Sequence, residues 1–277
     1  MYMSENLTPV LRAIRDRAPL IHAITNPISI TQCANAVLAL GARPIMAEHP
    51  REVEEITATA AALLLNLGNI TDVRMEAMER AAEAAGKNGV PVVLDAVGVA
   101  CSRMRRDYAC RLLERFPPAV LKGNYAEINA LVCPDYTASG VDGDRALDPA
   151  DLAGAAGGLA RRYGCVVLAS GAADLVTDGA RTTAIYNGTP RLGQVTGTGC
   201  MLSVLCGAFA AVAGAREAAL LASAFWKVCA AQAEERTQGR GPGSFHTALL
   251  DAAGTLTPAD LAAGTQIQEI SHRSEPQ

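Results

Sequence analysis

The feature that most limits the fold is a set of short apolar runs with longer helical patterns between them. The runs are Leu20 to Ile24, Ala62 to Leu67, Val90 to Asp95, Ala119 to Lys122 and Cys165 to Ser170. Most are unbroken rather than alternating in polarity. A strand with one wet face alternates, whereas a strand covered on both faces has no polar side to show. Such strands, separated by helices, predict an α/β fold with a mostly parallel central sheet. Thr8-Pro9, His49-Pro50 and Asp148-Pro149 each place a proline where a first helical turn starts. The helix after Asp148 is expected to end near Tyr163, with Gly164 just beyond it. Asp174 to Tyr186 reads differently: Asp178-Gly179 sits between two β-type runs, the signature of a hairpin. An antiparallel edge is therefore expected after the parallel part. Beyond Gly199 the pattern is nearly all helix.

No repeat of 20–50 residues and no Pro-, Gly- or Ser-rich linker interrupts this pattern, so the 277 residues (1–277) read as one domain. Half of the residues are hydrophobic, 19% are charged and only 4% are aromatic, with a net charge of −4. A core of small aliphatic side chains suits close helix-on-sheet packing. A nucleic-acid reader needs a basic face and stacking aromatics, which this composition does not supply. The most apolar stretch, Met201 to Ala215, is too short for a bilayer and reads as a buried helix. Met1 to Arg17 has no signal-peptide core. The chain is expected to be soluble and cytoplasmic, with neither nucleic acid nor membrane as partner. The eight cysteines form no C-x-x-C pair and read as buried free thiols of a reducing compartment.

Three segments could carry chemistry. In Val195-Thr196-Gly197-Thr198-Gly199-Cys200-Met201, glycines let the backbone approach a ligand closely. The free N–H groups opening the following helix would then favour an anion such as phosphate. The same residues also read as a plain glycine turn before a buried helix. Cys200 stands at that helix start, where the positive end of the dipole is expected to lower its pKa. Lys122-Gly123-Asn124-Tyr125-Ala126-Glu127 leaves a strand at its carboxyl end, where open α/β sheets bind ligands. Asn124 and Glu127 would suit a hydrated Mg²⁺ touching phosphate, and they equally form an N-cap and capping box. Asp95 ends another strand and reads either as a functional carboxylate or as a helix cap. On the N-terminal side, His22 reads as a structural histidine and Met46 as core, and Gly241 to Phe245 reads as a tight turn.

Taken in order, these segments resemble the hydroxyethylthiazole kinase family of the ribokinase-like superfamily. The resemblance runs from about Pro19 to the helix at Leu249. It is carried by Ile24-Thr25-Asn26, Ala39-Leu40-Gly41-Ala42-Arg43-Pro44-Ile45-Met46-Ala47, Asn66-Leu67-Gly68, Leu94-Asp95-Ala96-Val97-Gly98-Val99 and Lys122-Gly123-Asn124-x-x-Glu127. Val176-Thr177-Asp178-Gly179, Gly197-Thr198-Gly199-Cys200 and Gly241-Pro242-Gly243-Ser244-Phe245 complete it. The implied fold is a ribokinase-like three-layer αβα sandwich, with a mostly parallel sheet and an antiparallel edge hairpin. The implied activity is ATP-dependent phosphorylation of the primary alcohol of 4-methyl-5-(2-hydroxyethyl)thiazole, a thiamine salvage step. Mg²⁺ is the implied metal. The implied assembly is a homotrimer with thiazole pockets between neighbouring subunits.

Carried over by position, Met46, Asn26 and Gly197 are expected to contact the thiazole substrate. Lys122, Asn124, Ser170, Thr198 and Gly199 are expected to bind ATP, and Asp95 and Glu127 to serve Mg²⁺ and its waters. Cys200 occupies the position of the catalytic base, which is Asp in most of the superfamily and often Cys in this family. The chain departs from the family pattern at Ala96, often Pro, at Ser170, usually Thr, and at Ala172, commonly acidic. Two rival readings share the fold: a nucleotide-dependent repair dehydratase acting on hydrated NAD(P)H, expected to carry Asp at position 200, and a non-catalytic nucleotide or thiazole sensor.

Overall fold

The computed structural model describes residues 2–133 and 149–270. In chain order the elements are α1 (Tyr2–Arg17), β1 (Leu20–Ile24), α2 (Ile30–Leu40), β2 (Arg43–Ile45), α3 (Val53–Thr59), β3 (Ala62–Asn66) and α4 (Asp72–Asn88). Then come β4 (Val92–Asp95), α5 (Arg103–Arg115), β5 (Val120–Asn124), α6 (Tyr125–Val132), α7 (Pro149–Tyr163), β6 (Val166–Ser170), β7 (Asp174–Thr177) and β8 (Thr182–Ile185). After a 3₁₀ turn at Pro190–Gln194 follow α8 (Thr198–Ala210), α9 (Ala215–Arg236), α10 (Pro242–Thr255), α11 (Pro258–Gly264) and β9 (Ile267–Ile270).

The strands form one sheet in the order β2-β1-β3-β4-β5-β6-β7-β8-β9. The ladders from β2 to β6 are parallel, and those from β6 to β9 are antiparallel. The unbroken apolar runs divide by parity between two cores. Ala62 and Leu64 of β3 face the helices α1, α2, α8, α9 and α10, while Leu63 and Leu65 face α4 to α7. Val166 and Leu168 of β6 join the first core, and Val167 and Ala169 the second. Side chains alternate across a strand, so a run covered on both faces has to be apolar at every position. The result is the expected helix–sheet–helix sandwich.

Several local expectations are corrected. Pro9 lies inside α1, which starts earlier. His49-Pro50 forms a turn, its carbonyl at His49 accepting from Glu52 and Val53 N–H groups, before α3 opens at Val53. Asp148 lies outside the described residues. Tyr163 and Gly164 close α7 as expected, with Gly164 at φ +63°. The apolar stretch from Met201 splits into α8, a turn, and the start of α9. Beyond Gly199 the described chain is nearly all helix as expected, and the one strand there, β9, returns to pair with β8. Arg43–Ile45 likewise adds an edge strand to β1. Of the cysteines, Cys101 and Cys133 are exposed and Cys110 is half-buried, and the other five are buried. Among the described residues no helix is long and apolar enough to cross a membrane.

The topology places the crevice. From β1 the chain moves outward to β2, then crosses back over β1 to β3 and continues the other way. The connection after β1 joins one core through α2 and the connection after β3 joins the other through α4. Where directions diverge, the carboxyl ends of two neighbouring strands stand uncovered. Here those ends are Ile24-Thr25-Asn26 and Asn66-Leu67-Gly68.

Candidate active site

A cavity of about 640 Å³ opens at this divergence, a size suited to a small ligand. Its walls include Asn26 after β1, Gly68 and Asn69 after β3, and Lys122, Asn124 and Glu127 along β5 and α6. Ser170, Gly171 and Asp174 border it at the β6–β7 connection, and Gly197 to Cys200 at the start of α8. So the glycine segment at 197–199 and the carboxyl ends of the strands meet across one space.

Gly197 caps α8 at φ +86°, a left-handed conformation that side chains with Cβ rarely adopt. A Cβ there would also press on Ser29 Cβ at 2.9 Å. The start of α8 is pinned from outside: Trp226 Nε1 donates to the Thr198 carbonyl at 3.1 Å, and Thr198 Oγ1 donates to the Leu192 carbonyl at 2.8 Å. The first N–H groups of a helix have no partner within it. At α8 the residues that carry them, Thr198, Gly199 and Cys200, line the cavity, and Lys122 Nζ stands 3.3 Å from where a Cβ on Gly199 would lie. With the helix dipole and Lys122 on the same side, this end of the cavity is positively polarised and chemically suited to an anion.

Behind it lies a buried polar network. Asp95 is fully buried and takes Lys122 Nζ at 3.2 Å, Asn66 Nδ2 at 2.8 Å and Ser203 Oγ at 2.7 Å. Asn66 also receives Asn26 Nδ2 at 3.0 Å and the Gly68 N–H at 2.9 Å. Burial alone would lower the pKa of Lys122, but the carboxylates of Asp95 and Glu127 hold it above the ordinary lysine value, so it stays charged.

Cys200 Sγ lies 3.4 Å from Asn26 Nδ2 and 3.3 Å from Asn66 Nδ2. Its pKa is raised, chiefly by burial and then by the Asp95 carboxylate, against the smaller pull of Lys122. This reverses the lowering expected from the helix start. A helix terminus contributes on the order of 0.3–1 kcal/mol, and here burial beside an anion outweighs it. Cys200 is a neutral thiol at neutral pH.

Glu127 is 3% exposed. Its two oxygens accept the Gly98 N–H at 2.8 Å and the Asn124 N–H at 2.7 Å, while Asn124 Oδ1 accepts the Glu127 N–H at 2.8 Å. The capping box is therefore real, and Glu127 still faces the cavity. Burial pushes its pKa up to about 7, with Asp95 adding to the rise and Lys122 and the two N–H groups opposing it. A carboxylate so placed gains from a nearby cation, and each oxygen keeps a lone pair beyond its backbone bond. A hydrated divalent ion fits Glu127. It does not fit Asp95 directly: Asp95 does not border the cavity, and its oxygens are taken by Lys122, Asn66 and Ser203. Among the described residues no cluster of three His, Cys, Asp or Glu forms a ready-made metal cage.

Of the remaining expected residues, Ser170 borders the cavity with Oγ donating to the Gly123 carbonyl at 3.3 Å. Met46 is half-buried against the first core and does not line the cavity. His22 is structural: one ring nitrogen lies 2.8 Å from Thr57 Oγ1 and the other 2.9 Å from the Ala47 carbonyl, which fixes the segment carrying Met46. Burial lowers its pKa and keeps it neutral. Gly241 opens α10, and the Arg191 guanidinium lies 4.7 Å over the Phe245 ring and donates to the Arg240 and Gly241 carbonyls. Arg240 is exposed and outside the cavity wall.

With this geometry in place, the comparisons are specific. The Hydroxyethylthiazole kinase family matches residues 11–259. The chain belongs to the hydroxyethylthiazole kinase family. It is 39% identical over 94% of its length to the hydroxyethylthiazole kinase of Methanocorpusculum labreanum, covering 97% of that protein. It is 42% identical over 96% of its length to that of Methanosphaerula palustris, covering 99% of it. The structure of a hydroxyethylthiazole kinase protein from Pyrococcus horikoshii superimposes with a TM-score of 0.88 at 34% identity, covering 96% of this chain and all of that one. A pyridoxal kinase from Staphylococcus aureus in complex with AMP-PCP shares the fold, with a TM-score of 0.61 at 15% identity over 91% of this chain and 98% of that one.

Sequence reasoning missed Asn66 as a site residue, Ser203, Arg105, and the buried Asp174–Lys227 pair. Lys227 had a signal: a lone cation inside the apolar run Phe225-Trp226-Lys227-Val228-Cys229. Ser203 had none, since a serine inside a buried helix is common.

Proposed function

We propose that this family member is an ATP-dependent kinase acting on the primary alcohol of 4-methyl-5-(2-hydroxyethyl)thiazole, in thiamine salvage. The observation that carries the reading is the α8 start, where outward N–H groups and the charged Lys122 share one cavity with Cys200. In this reading the amides of Thr198, Gly199 and Cys200 and the Lys122 ammonium hold the terminal phosphate of ATP. Ser170 and Asn124 line the way along which the rest of the nucleotide lies. Asn26 and Gly197 flank the alcohol. Phosphoryl transfer passes through a loose transition state in most analyses, so alignment and charge stabilisation outweigh early proton removal. A neutral Cys200 thiol is then tolerable: Sγ, fixed by two asparagine amides, accepts a hydrogen bond from the hydroxyl and orients it, and the hydroxyl proton passes late to an oxygen of the transferred phosphoryl group, with the minor thiolate form of Cys200 as the base where one is used. Mg²⁺, held through water by Glu127 with nucleotide oxygens, would offset phosphate charge. Asp95 contributes by fixing Lys122.

The homotrimer with thiazole pockets between subunits belongs to the same proposal. Ile28 at the cavity rim is 54% exposed, and Met46 lies outside the single-chain cavity. A neighbour over this rim would enclose an apolar ring, and light scattering reads the trimer mass directly. A single domain and a cytoplasmic location complete the reading. The test of function is ADP release with ATP and the thiazole alcohol, paired with a binding measurement. Turnover supports the kinase. Binding of the alcohol without turnover identifies a sensor, and neither binding nor turnover with this alcohol fits the repair dehydratase.

A further inference from the structure

Three cations line the cavity among the described residues: Lys122, Lys227 and Arg105. The two lysines are committed to carboxylates, Lys122 to Asp95 and Lys227 to Asp174, each at 3.2 Å. Arg105 differs. Its backbone N–H is taken by the Ser102 cap, but among the described residues its guanidinium meets no carboxylate and no carbonyl. It is half-buried in the first turn of α5 and lies directly over Gly98, where any Cβ would collide with Nη1. Gly98 is held at φ +79°, and its N–H is bonded to Glu127. A glycine at this turn therefore leaves room for the guanidinium, on a turn whose own N–H is held by the Glu127 carboxylate. Lys122 Nζ, in contrast, sits at Gly199 on the α8 side. An unpaired guanidinium beside a cavity has five donors in a rigid fork, which match the oxygens of a phosphate.

We propose that Arg105 is a nucleotide-binding residue that grips the polyphosphate from the Glu127 side of the cavity, while Lys122 and the α8 amides grip it from the other. This rests on the kinase reading above. It extends that reading by naming the one cation whose donors are all uncommitted among the described residues. Gly98 serves it by leaving its space open. Arg105 holds phosphoryl oxygens and takes no proton.

The test measures inorganic tripolyphosphate binding by calorimetry without divalent cations, and ATP and alcohol kinetics, for wild type, Arg105→Gln and Arg105→Lys. A charge-assisted hydrogen bond lost in Arg105→Gln is expected to weaken tripolyphosphate about 10–100-fold and to raise the KM for ATP similarly. The KM for the alcohol should change less than about twofold, the mark of a contact confined to the phosphates. Arg105→Lys should recover part of the affinity, because it keeps the charge and loses the fork. Unchanged tripolyphosphate binding in Arg105→Gln overturns the proposal. So does a joint rise of both KM values with a lowered melting temperature, which marks a structural role. Should Arg105→Gln not fold, Arg105→Lys decides: weaker tripolyphosphate binding at an unchanged melting temperature supports the assignment, and unchanged binding overturns it. A wild type that binds tripolyphosphate but does not phosphorylate the alcohol overturns the kinase reading alone, and Arg105 is then still judged by its variants.

Discussion

Two buried ion pairs in this molecule are built almost alike. Asp95–Lys122 links the end of the parallel strand β4 to the middle of its neighbour β5, and Asp174–Lys227 joins the antiparallel edge to α9. In each the Nζ–O distance is 3.2 Å, and in each a helix serine, Ser203 or Ser223, donates to the aspartate at 2.7 Å. The difference lies in what else the lysine touches. Lys227 also donates to the Gly171 and Ala172 carbonyls, both at 3.3 Å, so its charge is spent on holding the β6–β7 loop. Among the described residues Lys122 Nζ bonds to no such carbonyl and stands instead against Gly199 in the cavity, with Glu127 as a second anion nearby. The same pair is a clamp where its donors are filled by backbone, and a ligand site where they are left over.

The sharpest way to break this contrast is to truncate each lysine. Lys122→Met is expected to lower turnover about 10²–10³-fold, the usual loss for one donor at a developing charge. Lys227→Met is expected to appear mainly as stability, since breaking a buried pair costs about 3–5 kcal/mol, read by chemical unfolding. Folded Lys227→Met at low temperature should keep far more turnover than Lys122→Met. Equal loss in both would erase the distinction. Next in size, Cys200→Ala should lower turnover about 10–100-fold, the low end for a side chain that positions the reacting hydroxyl or assists its proton transfer, and leave alcohol binding nearly unchanged. Cys200→Asp should keep or improve turnover. Full activity in Cys200→Ala would remove Cys200 from the chemistry.

The smallest effect expected is a pH dependence. Glu127 is charged only above its raised pKa of about 7. The ionised form, the one suited to a cation, therefore grows in as pH rises through that range. At limiting Mg²⁺ the rate should rise a few-fold from pH 6 to 8 in the wild type and stay flat in Glu127→Gln. The linkage runs the other way for folding. A raised carboxyl favours the fold most below the ordinary carboxylate pKa, and this contribution is lost as pH climbs through 7. A wild-type Mg²⁺ titration unchanged in Glu127→Gln would leave that residue a helix cap only.

How much of this was legible follows from how local each signal is. The five buried strands and the Asp178-Gly179 hairpin stood in the sequence because burial on both faces and a tight turn each leave a local pattern. The edge strands did not. Arg43–Ile45 contains Pro44 and is only half covered, and Ile267–Ile270 carries two exposed polar residues. Pro9 inside α1 shows the limit of reading proline as a helix start. At the site, the segments holding Cys200, Lys122 and Glu127 stood out by their place at helix and strand ends, their roles came from the family resemblance, and the structure brings all three to one cavity. The charge state of Cys200 was misread because Asp95, which helps raise its pKa, lies 105 residues away in the chain. Asn66 was overlooked as a site residue for the same reason, since its partners come from three other elements.

The most direct measurement is a crystal structure with the thiazole alcohol and a non-hydrolysable ATP analogue bound together. The account predicts the terminal phosphate within hydrogen-bonding distance of the Thr198 to Cys200 amides and of Lys122 Nζ, with the alcohol oxygen beside Cys200. A terminal phosphate seated away from the α8 start, with those amides facing only water, would contradict it.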